Sequence, residues 1–254
     1  MTSSRTNAGD PARTIALLWR RTRPGREAAR GPRPGLDIDT IVETAVTLAD
    51  GEGLDSVTMR RVAAAVGTAP MTLYTYVPGK AELLDLMLDD LYGRMRREPT
   101  AALAWRDRVR GVAGENRTLF ERHPWASFVA TTRPALGPGA VAKYDHELAA
   151  FDGLGLDDVT MDAALAWTLA FVLGWARTAS DAAAARRESA LEEEQWWAAA
   201  GPILSEVLDP AAFPLAVRVG AAAGAAHSAA WEAGHAYDFG LARVLDGLAG
   251  LIGR

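Results

Sequence analysis

The 254-residue chain contains no cysteine. That absence excludes disulfide staples, a thiolate nucleophile and cysteine-ligated zinc, and a reducing cytosol fits it. A long apolar run near the N-terminus is missing too. Ile15 to Trp19 is the longest there, far short of a signal-peptide core or a bilayer span, and arginines crowd it on one side. The chain is therefore expected to be soluble and cytoplasmic, with no membrane partner. Strand-type alternation is not evident anywhere, which points to an all-α fold. The histidines His123, His146, His227 and His235 are scattered without metal-ligand spacing, so no metal site and no cofactor are expected. Catalytic signatures are also absent: no Gly-x-Ser-x-Gly, no His-Glu-x-x-His, and a "GLGLDD" at 153–158 that lacks the preceding strand of a phosphate-cradling loop. The carboxylates Asp89, Asp90, Glu192, Glu193 and Glu194 come in runs, as solvated faces do, rather than singly in apolar settings. No catalytic residue is assigned, and an all-helical enzyme is the remote reading.

The length favours two domains. The net charge of −5 conceals an asymmetry. Residues 1–35 hold eight arginines against two acidic side chains, a net +6, whereas residues 36–97 carry −4 and residues 98–254 carry −7. This Arg-rich, Pro/Gly-punctuated leader reads either as a solvated, disordered arm or as an electrostatic hand for a polyanion.

Beyond the leader, apolar residues recur at helical spacing. Ile38, Ile41, Val42, Ala45, Val46 and Ala49 form one stripe, with Asp37 placed to cap it and Gly51 and Gly53 to end it. Thr58 is placed to cap a second, short helix through Val66, broken by Gly67. Thr68 is placed to cap a third, in which Pro70 is harmless because first-turn N–H groups lack intrahelical partners. Pro78 and Gly79 stop it. A fourth helix runs from Lys80 to about Arg97, with Leu83, Leu84, Met87, Leu88, Leu91, Tyr92 and Met95 on its apolar side.

Ala63, Gly67 and Leu73 stand at helix-turn-helix spacing: alanine permits close approach, glycine makes the turn and leucine plugs the angle. An ordinary helical hairpin satisfies the same spacing. The side chains argue otherwise, since Leu73 and Val77 suffice to anchor the third helix, yet Thr72, Tyr74, Thr75 and Tyr76 crowd the same turn. Hydroxyls, with a lysine and free backbone N–H groups at the next helix start, are the donors that grip phosphates and base edges.

The stretch "TIVETAVTLADGEGLDSVTMRRVAAAVGTAPMTLYTYVPGKAELLDLMLDDL", residues 40–91, resembles the DNA-binding domain of tetracycline-repressor-type regulators. The region beginning "AWRDRVRGVAGENRTLFERHPWASFVATTRPALGPG", with its "TRP" at 132–134, is similar to the ligand-binding domain of the tetracycline-repressor branch. The resemblance implies a leader (1–35), a helix-turn-helix domain (36–80), a connecting helix (81–98) and a helical ligand-binding and dimerisation domain (99–254). It implies a homodimer on palindromic double-stranded operator DNA. Thr58 then falls at a phosphate contact, Arg60 at a base-reading position, Met71, Thr72, Tyr74, Thr75 and Tyr76 on the recognition helix, and Lys80 at a phosphate grip. Pro70 and Met71 replace a glutamine and a proline of the namesake, so the operator need not be shared.

In the C-terminal half, residues 158–184 form a candidate helix that is apolar on more than one face and hence expected to be buried from two sides. The resemblance places it with the final helix in a dimeric four-helix bundle. Seven of the eight tryptophans follow residue 100. Tyr92, Met95, Phe120, Trp125, Phe128, Trp167, Phe171 and Trp175 are the candidates for an apolar effector pocket, although core packing explains most of them equally well. A magnesium–tetracycline chelate is excluded, because Val129 and Arg96 stand where the namesake has its metal-binding and drug-contacting histidines. The expected function is a repressor released from DNA by a small apolar or aromatic molecule; a constitutive or activating regulator without effector is the alternative.

Overall fold

The structure is a computed structural model that describes residues 6, 9–21, 36–99, 102–129, 131, 133–189, 193–227 and 231–253. Among these there are helices and no strands: α1 (Pro11–Leu18), α2 (Ile38–Glu52), α3 (Met59–Ala65), α4 (Pro70–Tyr76), α5 (Lys80–Arg94), α6 (Trp105–Arg122), α7 (Pro138–Leu148), α8 (Asp158–Ser189), α9 (Glu193–Val207), α10 (Pro214–His227) and α11 (Ala233–Ile252). The all-helical expectation holds.

Local chemistry sets the boundaries. Asp37 caps α2, accepting from Thr40 N at 2.7 Å, and Gly53 ends it at φ 82°, a left-handed conformation that disfavours any side chain. Thr58 caps α3 through Arg61 N at 3.2 Å. The expected Thr68 cap of α4 is not what forms. Ala69 occupies the cap position without a side-chain bond, because Pro70 at the first helical position presets φ and has no N–H to satisfy. The fourth helix of the sequence reading, α5, stops at Arg94 rather than near Arg97.

The leader departs from the disordered-arm expectation over residues 11–21. Asp10 accepts from Ala12 N at 2.9 Å and starts α1, and Leu18 is buried in the same core as α2 and α5. An apolar anchor, Leu18, and a capped start give this segment what a solvated arm lacks. Residues 1–5, 7–8 and 22–35 of the leader lie outside the described residues.

Two cores follow. The first joins α1 to α5 with Leu119, Trp125, Ala126 and Val129; the second joins α6, α8 and α11 around Phe151, Leu165, Val172, Leu245 and Leu248. Phe120 packs against both. Helix α8 is long and apolar enough to cross a membrane. Its Leu165, Val172 and Trp175 are instead spent inside the second core, against α6 and α11. The expected burial of α8 from two sides is met on one side only: Val159 and Trp167 remain exposed in the single chain.

Candidate nucleic-acid interface and ligand domain

Helices α3 and α4 meet through Gly67, whose φ of 71° makes the turn and lets Thr68 N donate to Ala63 O at 2.9 Å. Ala63 and Leu73 are both fully buried between the two helices, as their spacing requires. With Leu73 fixed inward, the opposite face of α4 is carried outward. Met71 is 75% exposed, Tyr74 is 40% exposed, and Thr72 and Thr75 share that open side. The Thr75 hydroxyl donates back to Thr72 O at 2.6 Å. Tyr76 is half-buried and packs on the helix-turn-helix core, so the structure sets it apart from the outward group.

On α3, Thr58 is exposed and uses an oxygen lone pair for the cap, leaving its O–H free to donate outward. Arg60 is exposed, while its neighbour Arg61 folds back onto both carboxylate oxygens of Glu52 at 2.7 and 2.8 Å. Lys80 opens α5, whose N-terminus carries no side-chain cap. Uncapped N–H groups and the positive end of a helix dipole favour an anion there.

Helix α5 carries this surface into the rest of the molecule, and two carboxylates tie it down. Asp50, at the end of α2, accepts from Trp125 Nε1 at 2.7 Å, with His123 Nδ1 at 2.8 Å from the same oxygen. Asp89 on α5 accepts from Ala140 N at 2.8 Å and so caps α7 from outside. Burial pushes the Asp89 carboxyl above the usual range, against the opposing pull of the Ala140 and Gly139 backbone hydrogen bonds. Gly139 lies so close to α5 that a Cβ there would clash with Asp89 O and approach Gly93 N to 2.7 Å. A polar cluster stands behind this junction: Asn116 Nδ2 and Lys143 Nζ donate to the buried Glu147 at 2.5 and 2.7 Å, and Lys143 lies over the Tyr92 ring. Sequence reading passed over Asp50 and placed Asp89 on a solvated face, whereas Asp89 is only 8% exposed and bonded to α7. Each sits beside residues typical of a solvated helix surface, and only the tertiary fold reveals its partner.

The eight pocket candidates do not line one cavity. Met95 borders a cavity of about 530 Å³ between α2, α5 and α6, which Asp50, Glu115, Arg122 and His123 also line. Trp125 and Phe128 border one of about 880 Å³ between the end of α2 and α8, and Phe120 and Trp175 one of about 220 Å³. Trp167 and Phe171 cover glycines of α11: a Cβ on Gly247 would sit 2.5 Å from the Trp167 ring, and one on Gly240 2.8 Å from Phe171 Cζ. Those two aromatics hold α8 against α11. Trp175 Nε1 donates to Ala233 O at 2.8 Å and its ring meets Tyr237 edge-on. Tyr92 is half-buried beside Lys143, and burial raises its phenol pKa. Val129 is 1% exposed, an apolar core residue with no ligating atom.

Residues 41–87 match the family described as "Bacterial regulatory proteins, tetR family", and residues 98–252 match "Tetracyclin repressor-like, C-terminal domain". The chain is 39% identical over 250 residues to the HTH-type transcriptional repressor DrrR1 of Streptomyces coeruleorubidus, covering 96% of this chain and 88% of that one. It is similar to the TetR family protein ActR of Streptomyces coelicolor in complex with (S)-DNPA, at TM-score 0.68 and 25% identity over 85% of this chain and 98% of that one. BioQ of Mycobacterium smegmatis with its natural double-stranded DNA operator matches 60% of this chain and 91% of that one, at TM-score 0.53 and 25% identity. The exposed α4 face, the family matches over both halves and the near-full-length relative together mean that this chain belongs to the TetR family of DNA-binding transcriptional regulators.

Proposed function

We propose that the protein is a homodimeric repressor that occupies a palindromic operator and is released from it by a small apolar or aromatic molecule bound in the C-terminal domain. The observation that carries this reading is the continuity of α5. Its N-terminus lies at the DNA-facing surface beside α4, and its other end is locked to α7 through Asp89, Gly93 and Gly139. Thr58, Lys80 and the Tyr74 hydroxyl then hold phosphates, Arg60 reads a base with its planar fork, and Met71, Thr72 and Thr75 meet the major groove. Tyr76 supports the recognition helix from behind.

The effector's place is among the three separate cavities that Met95, Phe120, and Trp125 with Phe128 border, where α2, α6 and α8 approach one another. Occupancy there moves α5 and changes the separation of the two recognition helices. Release requires that the effector bind the DNA-free arrangement more tightly than the DNA-bound one. The ActR complex with (S)-DNPA supports a ligand-responsive C-terminal domain, the BioQ operator complex supports duplex binding, and the DrrR1 relative supports repression.

The test begins with selection of bound duplexes from a random pool, followed by a screen of small aromatic compounds for release. Folded Trp125→Ala and Phe128→Ala dimers should keep operator binding and lose release. Normal release in every such variant moves the pocket elsewhere, and a wild type that no compound releases is a constitutive regulator.

A further inference from the structure

Resting on the effector-driven movement of α5 in the proposed function, we propose that residues 9–21 form an intramolecular strap that fixes the DNA-binding unit to the C-terminal domain and so sets how freely α5 moves. The segment lies against α5 from its first turn onward: a Cβ on Gly9 would come within 2.8 Å of Glu82 Cδ. Leu18, 3% exposed, then enters the core that Leu86 of α5 also occupies. At its end the strap holds both sides. Arg20 and Arg21 both pair with Asp39 in the first turn of α2, and Arg20 Nη1 also donates to Leu17 O at 3.1 Å. On the other side, Trp19 Nε1 donates to Leu136 O at 2.7 Å, immediately before the Gly137–Gly139 turn that Asp89 caps. Upstream, the Thr6 hydroxyl donates to Arg133 O in the same loop.

The attachment is discrete rather than continuous. A cleft of about 390 Å³, bordered by Leu18, Arg20, Asp89, Arg94, Pro138 and Ala142, lies where α1, α5 and α7 converge, so the strap does not pack flat against α7. Its hold on the C-terminal side rests on the Trp19 and Thr6 hydrogen bonds, and its hold on α2 on the Asp39 pair. A segment bonded to α2 through Arg20 and Arg21 and to the Leu136 loop through Trp19 resists rotation of one domain on the other, because a swing of α5 must break one set of bonds. This use of residues 9–21 differs from a DNA-touching arm: Arg20 and Arg21 are spent on Asp39, not on phosphate.

Hydrogen exchange on full-length variants tests the strap by asking whether a cut at one end is felt at the other. Asp39→Asn frees the α2 attachment and should raise exchange across residues 133–142 by about fivefold or more, although the ion pairs it removes are with Arg20 and Arg21. Trp19→Phe keeps the ring, removes the indole donor and should raise exchange in the first turn of α2 by a similar factor. The double variant should add little to either single one, since a strap released at one end no longer transmits load. Circular dichroism first establishes that each variant is folded; if Trp19→Phe is not, Asp39→Asn alone decides. Effects confined to the mutated end, or strictly additive ones, overturn the proposal. A lower salt slope on random duplex DNA for Arg20→Ala/Arg21→Ala, with exchange unchanged at both ends, also overturns it, in favour of a DNA-contacting arm.

Discussion

Arg60 and Arg61 are adjacent, equally charged and differently employed. Arg61 is held by Glu52, whereas Arg60 on α3 is exposed to solvent. An exposed guanidinium contributes nothing to folding that solvation would not, so its free fork is available for guanine O6 and N7. Arg60→Ala should cost about 1–3 kcal/mol on the selected operator and relax preference at one base pair. Equal losses on selected and random duplexes in a gel-shift titration would instead mark a phosphate contact. Lys80→Ala and Tyr74→Phe should weaken binding to all duplexes alike, and unchanged affinity in both removes the phosphate grip. The residue scale also shows where sequence reading stops. Tyr74 and Tyr76 are two apart in one short run of hydroxyls, but a helical turn rotates them apart, and Leu73 and Val77 draw Tyr76 toward the core.

Among the elements, α5 and α7 pack most intimately, and the contact depends on a missing side chain. A methyl at Gly139 meets the α5 backbone at Asp89 and Gly93, where no rotamer change relieves the overlap. Gly139→Ala should therefore cost about 1–3 kcal/mol in urea unfolding, and a wild-type midpoint would show that the helices separate freely. The start of α2 offers a pH test. Burial raises the Asp39 carboxyl pKa, but the hydrogen bonds and charges of Arg21 and Arg20 outweigh it, and the net shift is downward. A carboxyl depressed in the folded state contributes stability above its unfolded pKa of about 4 and loses it as the pH falls through the depressed value. The stability difference between wild type and Asp39→Asn should accordingly shrink below about pH 4 in acid titrations followed by circular dichroism. A difference that stays constant with pH would assign the effect to packing.

For the whole molecule, the uncovered faces matter most. Val159 and Trp167 on α8 and Phe239 and Leu251 on α11 are exposed in one chain, on two helices already packed against each other. Solvating such a surface is unfavourable, and a second copy would cover it by symmetry, as the proposed homodimer requires. The protein should sediment at twice the 27.0 kDa of one chain, and Phe239→Asp should shift it toward monomer and abolish binding to a two-half-site operator. A wild-type monomer that binds the full operator tightly would overturn the dimer.

The helix-turn-helix was legible in sequence because its signals are local. Thr58 reaches a backbone N–H three residues away, Gly67 makes its own turn, and Ala63 and Leu73 meet across a ten-residue hairpin. Helical class followed likewise from periodicity, which each segment carries within itself. The leader's helix, the scattering of the eight pocket candidates among three cavities, the α8–α11 seam and the side of Lys143, and the roles of Asp50 and Asp89 were settled only in three dimensions. Trp19 and Leu136 are 117 residues apart, and Asp50 and Trp125 are 75 apart. Neither pair is marked by local spacing, and only the tertiary packing brings each partner within reach.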